Sequence, residues 1–240
     1  MNIIELFEKQ KAYTFAKISK LAYEDNPSFY GFQSRKIAID NNVVFVLFND
    51  TDVVIACRGT ELDDLGDVKI DAMIALVPSV TGTGKAHHGF ETATKDVWDV
   101  LRAFLKNTVT DQNVWFTGHS LGAAMSQLLS VLYQQRYPDA NVQLYTFGCP
   151  RVGDKNNTAL GLVEHQRYVH SSDIVPRIPL PLRGYRHYGT LHYLNKDGKE
   201  INTNWAVIVR DRIACFFKNP TSIIDNHCID EYIRPLGESE

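Results

Sequence analysis

Residues 113–137, NVWFTGHSLGAAMSQLLSVLYQQRY, restrict the fold more than any other stretch of the chain. Val114-Trp115-Phe116-Thr117 is an apolar, β-prone run, and beyond Gly122 alanine, methionine and leucine recur at helical spacing. Between them lies Gly118-His119-Ser120-Leu121-Gly122, a G-x-S-x-G at a strand–helix junction. A serine on so sharp a turn carries a strained backbone and an accessible hydroxyl. Side chains two residues to either side would collide with the neighbouring strands and helix, which accounts for both glycines. The turn also leaves the Leu121 N–H unpaired at a helix start, where the dipole favours negative charge. The pentapeptide alone also fits a strand–helix junction without chemistry, so the partners available to Ser120 decide the matter.

A chain of 240 residues is one domain's worth of core, and the expected unit is a single domain over residues 1–240. Hydrophobic residues make up 44% and charged residues 22%, with no low-complexity tract. A net charge of −3 argues against a nucleic-acid partner, which calls for a basic face. The four cysteines, Cys57, Cys149, Cys215 and Cys228, show no C-x-x-C spacing, so free buried thiols are expected. The first residues mix charge into every turn and contain no apolar leader segment. No apolar run approaches the length of a membrane span, and a cytoplasmic location is the simplest expectation. The alternative is a secreted protein whose leader is missing.

Apolar spacing predicts a helix over residues 2–23, ended by Asn26-Pro27. Residues 29–42 read as irregular or a short strand. Two apolar runs, 43–48 and 53–57, flank the turn-forming Asn49-Asp50-Thr51-Asp52 and predict a hairpin. Strands this apolar belong to a sheet covered on both faces. Helices are expected at 91–106, 156–164 and 205–217, strands at 142–148 and 166–170, and a hairpin over 187–201. Strands alternating with helices from residue 90 to 175 imply right-handed crossovers and a mainly parallel sheet.

Ser120 needs a base, and the base needs an orienting carboxylate. On a sheet of this kind the chain order is serine, acid, histidine, each beyond a strand C-terminus. Asp173, just past a strand in YVHSSDIVP, is favoured over Asp154, whose setting in CPRVGDK suits a helix cap. For the base, His187, His192 and His227 all follow the acid; His227, in a loop before the last helix, is favoured by position. His119 points away from the reacting face and reads as a packing residue. Two oxyanion donors are required. Leu121 N–H is one, and Thr60, at the end of Arg58-Gly59-Thr60 after a central strand, suits the second.

These motifs, taken together, resemble the class 3 lipases, the fungal-lipase-like branch of the α/β-hydrolases. The likeness rests on ACRGT ending at Thr60, HHGF at 87–90, FTGHSLGAA around Ser120, TFGCPRVGD at 146–154, DIVPRIP from Asp173 and DNHCIDEY around His227. It spans roughly residues 20–232. It implies an α/β-hydrolase fold, with a mixed, mainly parallel central sheet flanked by helices. It further implies a Ser120–Asp173–His227 triad, oxyanion donors at Thr60 and Leu121, and hydrolysis of acyl esters such as triacylglycerols. No metal or organic cofactor is implied. The partner is an acyl-ester or lipid substrate, with at most transient contact at a lipid interface.

The same resemblance marks residues 61–71, ELDDLGDVKID, as a lid. Leu62, Leu65 and Val68 offer only a narrow apolar stripe among Glu61, Asp63, Asp64, Asp67 and Asp71. A lid opening onto oil should show a broad apolar face. Weak interfacial activation and a preference for short or medium acyl chains are therefore expected. Residues 72–77, AMIALV, read as a buried strand or core segment. Two other functions fit the motifs: a catalytically silent lipase-like binding module, which should lack a triad member, and an acyltransferase, which uses an alcohol as acceptor.

Overall fold

In the computed structural model, the structure describes residues 10–59, 75–109, 111–201, 204–218 and 226–237. The framework is an eight-stranded sheet. In chain order its strands are β1 (Gln33–Ile39), β2 (Asn42–Phe48), β3 (Asp52–Cys57), β6 (Asn113–His119), β7 (Val142–Phe147), β9 (Glu164–His170), β11 (Thr190–Leu194) and β12 (Glu200–Ile201). Spatial order follows the same sequence. Strands β3, β6, β7, β9 and β11 run parallel, while β1, β2 and β12 pair antiparallel at the two edges. A second, four-stranded sheet joins β4 (Leu76–Pro78), β5 (Lys85–His87), β8 (Gly153–Asp154) and β10 (Tyr185–Arg186).

Helices cover both faces. Alternation along the strands sorts their side chains into two cores. Val44, Val46, Val53, Ile55, Val114, Phe116 and Leu144 face Val97, Leu101 and Leu105 of α2 (His88–Thr108) and Met125, Leu128 and Leu129 of α3 (Leu121–Arg136). Their neighbours Val43, Phe45, Leu47, Val54, Trp115, Tyr145 and Phe147 face Phe15 and Ile18 of α1 (Lys11–Leu21) and Tyr232 of α5 (Asp230–Gly237). Phe15 stacks on Tyr145 at 4.6 Å between ring centroids and lies 5.2 Å from Trp115. Full burial of such side chains contributes about 1.5–3 kcal/mol each. The buried Trp115 Nε1–H donates to Asp52 Oδ1 at 2.9 Å, which satisfies both polar groups. The remaining helix, α4 (Trp205–Lys218), packs Ile208 against Val169 and Tyr193.

Several expectations change. Of the two readings of residues 29–42, the strand is the one observed, a seven-residue edge strand at 33–39. The expected helix at 156–164 is only a 3-10 turn, Thr158–Gly161, before β9 begins at Glu164. Its entry is tied down by side-chain bonds that compete with helix. Asp154 Oδ1 accepts from the Asn156 N–H, and Asn157 Oδ1 accepts from the Thr81 and Thr83 hydroxyls. Of residues 72–77, expected to be a buried strand or core segment, 72–74 lie outside the described residues; Leu76 and Val77 do belong to a strand, of the small sheet, but are only half-buried, and Ala75 is exposed. The expected lid at 61–71 lies outside the described residues. All four cysteines are free, with Cys57, Cys149 and Cys215 buried. No helix among the described residues is long and apolar enough to cross a membrane.

Candidate active site

Ser120 joins β6 to α3 with φ +58° and ψ −128°, a conformation nearly restricted to glycine. The two flanking glycines answer to different neighbours. A Cβ on Gly118 would lie 2.5 Å from the Gly122 carbonyl group, so the turn closes on itself there. A Cβ on Gly122 would lie 2.2 Å from the Cys57 carbonyl oxygen, so α3 could not start against β3. Ser120 N–H donates to Phe147 O at 3.1 Å, tying the strained residue to β7. Leu121 N–H opens α3 and has no acceptor among the described residues.

The Ser120 hydroxyl donates to His227 Nε2 at 2.8 Å, and His227 Nδ1–H donates to Asp173 Oδ2 at 2.9 Å. The carboxylate can only accept, so it sets this tautomer. All three side chains are buried. Asp173 sits beyond the C-terminal end of β9, where its Oδ1 accepts from the Val175 N–H at 2.9 Å. Oδ2 takes a second hydrogen, from the Tyr232 hydroxyl. Burial and the neighbouring Asp173 charge push the Tyr232 phenol well above its ordinary value, so it remains a donor. Asn226 Nδ2–H donates to Ser172 Oγ at 2.8 Å and secures the loop that carries His227 beside the one that carries Asp173.

The rival residues are occupied elsewhere. Asp154 Oδ1 accepts from the Lys85 and Asn156 N–H groups and organises the small sheet. His187 Nε2–H donates to Pro176 O at 2.6 Å, and burial holds the ring well below its ordinary pKa. His192 lies between Gln166 Oε1 at 2.7 Å and Glu200 Oε1 at 2.8 Å, stacked on Tyr168. Thr60, the expected second oxyanion donor, lies outside the described residues. Its neighbour Gly59 is described, and a Cβ there would lie 2.4 Å from Tyr23 Oη and 2.5 Å from the His119 carbonyl oxygen. That strand end therefore presses against the elbow and requires glycine.

Sequence reasoning missed three features of the site. Gly148 has φ +60°, and a Cβ there would lie 2.9 Å from His227 Cε1 and 3.0 Å from Asp173 Oδ2. Tyr232 closes the DNHCIDEY motif, but the sequence assigned it no role. His119, expected to pack, makes two hydrogen bonds. The glycine in TFGCP was the one visible hint, because glycine directly after a buried strand often marks a close approach.

A serine on a glycine-flanked turn, above a mainly parallel sheet with helices on both faces, defines an α/β-hydrolase fold. The family described as lipase (class 3) matches residues 54–182, more than half of the chain, and the chain belongs to that family. A lipase of Rhizomucor miehei is 36% identical over 136 residues, 51% of this chain and 36% of the relative. A secreted mono- and diacylglycerol lipase of Malassezia globosa is 30% identical over 154 residues, 56% of this chain and 49% of the relative. The matches thus span less than half the length of these two curated relatives. The solved structure of Rhizomucor miehei triacylglyceride lipase superposes with a TM-score of 0.69 at 25% identity, covering 82% of this chain and 83% of that one. The expectation of a cytoplasmic location finds no support among these relatives, one of which is named as secreted.

Proposed function

We propose that the chain is a serine carboxylic-ester hydrolase acting on acyl esters, glycerides among them. The observation that carries this reading is the continuous buried relay from Ser120 through His227 to Asp173. His227 Nε2 takes the Ser120 proton as Oγ attacks the ester carbonyl carbon. Asp173 stabilises the imidazolium that forms. Negative charge develops on the carbonyl oxygen, and the Leu121 N–H, with Thr60 as its partner donor, holds it. His227 then protonates the departing alcohol, leaving an acyl group on Ser120. Water, deprotonated by the same ring, attacks the acyl carbon and releases the acid. No step calls on a metal or an organic cofactor.

The names of the relatives support a lipid acyl ester as substrate. The acidic composition of residues 61–71 supports short or medium acyl chains and weak interfacial activation. The test is a chain-length series of p-nitrophenyl esters beside a triglyceride and a phospholipid, with labelling by a fluorophosphonate. Ser120→Ala should lose both turnover and label, and retention of either overturns the assignment. Activity on tributyrin that rises several-fold above its solubility limit, with little on monomeric esters, overturns the expectation about the interface.

A further inference from the structure

The relay uses Ser120 and leaves the residue beside it without a role. His119 is 3% exposed and is the x before serine in the elbow. Its side chain reaches the loop that carries His227. There its Nε2 lies 2.6 Å from the main-chain oxygen of His227, and its Nδ1 lies 2.9 Å from Tyr23 Oη. A carbonyl oxygen can only accept, so Nε2 carries the hydrogen. Nδ1 then has a lone pair, and the Tyr23 hydroxyl donates to it. Both ring nitrogens are satisfied in one tautomer.

We propose that His119 is a positioning residue for the base: the elbow grips His227 at both ends, through Ser120 on its ring and through His119 on its main chain. The proposal rests on the reading of Ser120 as nucleophile and His227 as base. The two grips come from consecutive residues of one strained turn, so they move as a single rigid body. Asp173 at Nδ1 and Ser120 at Nε2 orient the His227 ring, and His119 at the carbonyl holds the main chain that bears it. Tyr23 completes the device. It stands where a Gly59 side chain would be, so it braces the elbow and the end of β3 while it sets the His119 tautomer. The two imidazoles lie 4.5 Å apart between centroids. A neutral neighbour at that distance does not oppose the charge that His227 takes on during turnover.

Other bonds also hold the loop, including Asn226 to Ser172 and the Ile229 carbonyl to Tyr232 N–H. Loss of His119 therefore misaligns the base rather than releasing it. The test uses the full chain and p-nitrophenyl butyrate, with low-field proton NMR of the His227 Nδ1–H facing Asp173 and a thermal melt. His119→Leu should lower kcat by about 10- to 100-fold, with KM within about two-fold, and broaden that resonance. His119→Gln returns an N–H close to the position of Nε2; it should recover kcat to within about five-fold and restore the resonance. Tyr23→Phe, which frees the tautomer, should cost about three- to ten-fold in kcat. Should His119→Leu not fold, His119→Asn, too short to reach the carbonyl, stands in for it. A Leu or Asn variant within about two-fold of the parent kcat overturns the proposal. So does a glutamine variant that loses as much as leucine while the resonance persists in both. A parent protein that hydrolyses no ester and takes no fluorophosphonate at Ser120 would instead strike the catalytic reading itself.

Discussion

Tyr232 and His227 donate to the same oxygen of Asp173, Oδ2, and both come from one short segment of chain at the start of α5. The acid is thus held between two donors that fold as a unit. The tyrosine shares the carboxylate charge that the imidazolium would otherwise have to itself. Tyr232→Phe leaves a buried carboxylate one partner short, a loss of about 1–3 kcal/mol. For a chain of this length that corresponds to a melting temperature lower by roughly 2–12 °C. Calorimetry on the parent and the variant checks this.

Gly148 makes room for the relay. Gly148→Ala puts a methyl group against His227 Cε1 and Asp173 Oδ2 at a residue with φ +60°. The backbone strain alone costs about 1–3 kcal/mol. Displacement of the imidazole should lower kcat by about 100-fold or more. Steady-state kinetics beside a urea melt tests this. A variant with parent kcat would mean that the loop yields without moving the ring.

The strain stored at Ser120 can be read by comparing two inactive variants. Neither Ser120→Ala nor Ser120→Gly retains the hydroxyl, so both lose the bond to His227. Only glycine adopts φ +58° and ψ −128° without penalty. The glycine variant should be the more stable of the two by about 1–3 kcal/mol. Equal denaturation midpoints would show that the elbow relaxes once the hydroxyl is gone.

Stability should fall on mild acidification before most carboxylates titrate. Burial lowers the His165 pKa from 6.5 to about 3, with the Arg167 charge adding to the shift. Its Nε2 meets the Thr146 hydroxyl at 2.7 Å and stays neutral in the folded protein. In the unfolded chain the same ring takes a proton near pH 6.5. Below that pH protons favour unfolding, so the contribution is whole above 6.5, declines as pH falls, and levels off near 3. His165 alone should account for about 2 kcal/mol between pH 7 and pH 5. Urea midpoints measured across that range should be flatter in His165→Gln than in the parent.

Much of the fold was legible in the chain because burial writes a period into it. Residues 43–48, 53–57, 114–117 and 142–147 are short runs rich in β-branched and aromatic residues, which marks them as covered strands, and the glycines around Ser120 mark the sharp turn between strand and helix. The 3-10 turn at Thr158–Gly161 was misread because the side chains of Asp154 and Asn157 compete locally with a helix, and periodicity does not register that competition. For the site, chain order reduced the possible bases to three histidines and the possible acids to two aspartates. Tertiary structure alone carries His227 across 107 residues to within 2.8 Å of Ser120, while His187 and His192 are held by partners of their own. The same holds for Tyr232, Gly148 and His119. Each matters for what it touches across the fold, and a contact between distant residues leaves no local pattern in the sequence.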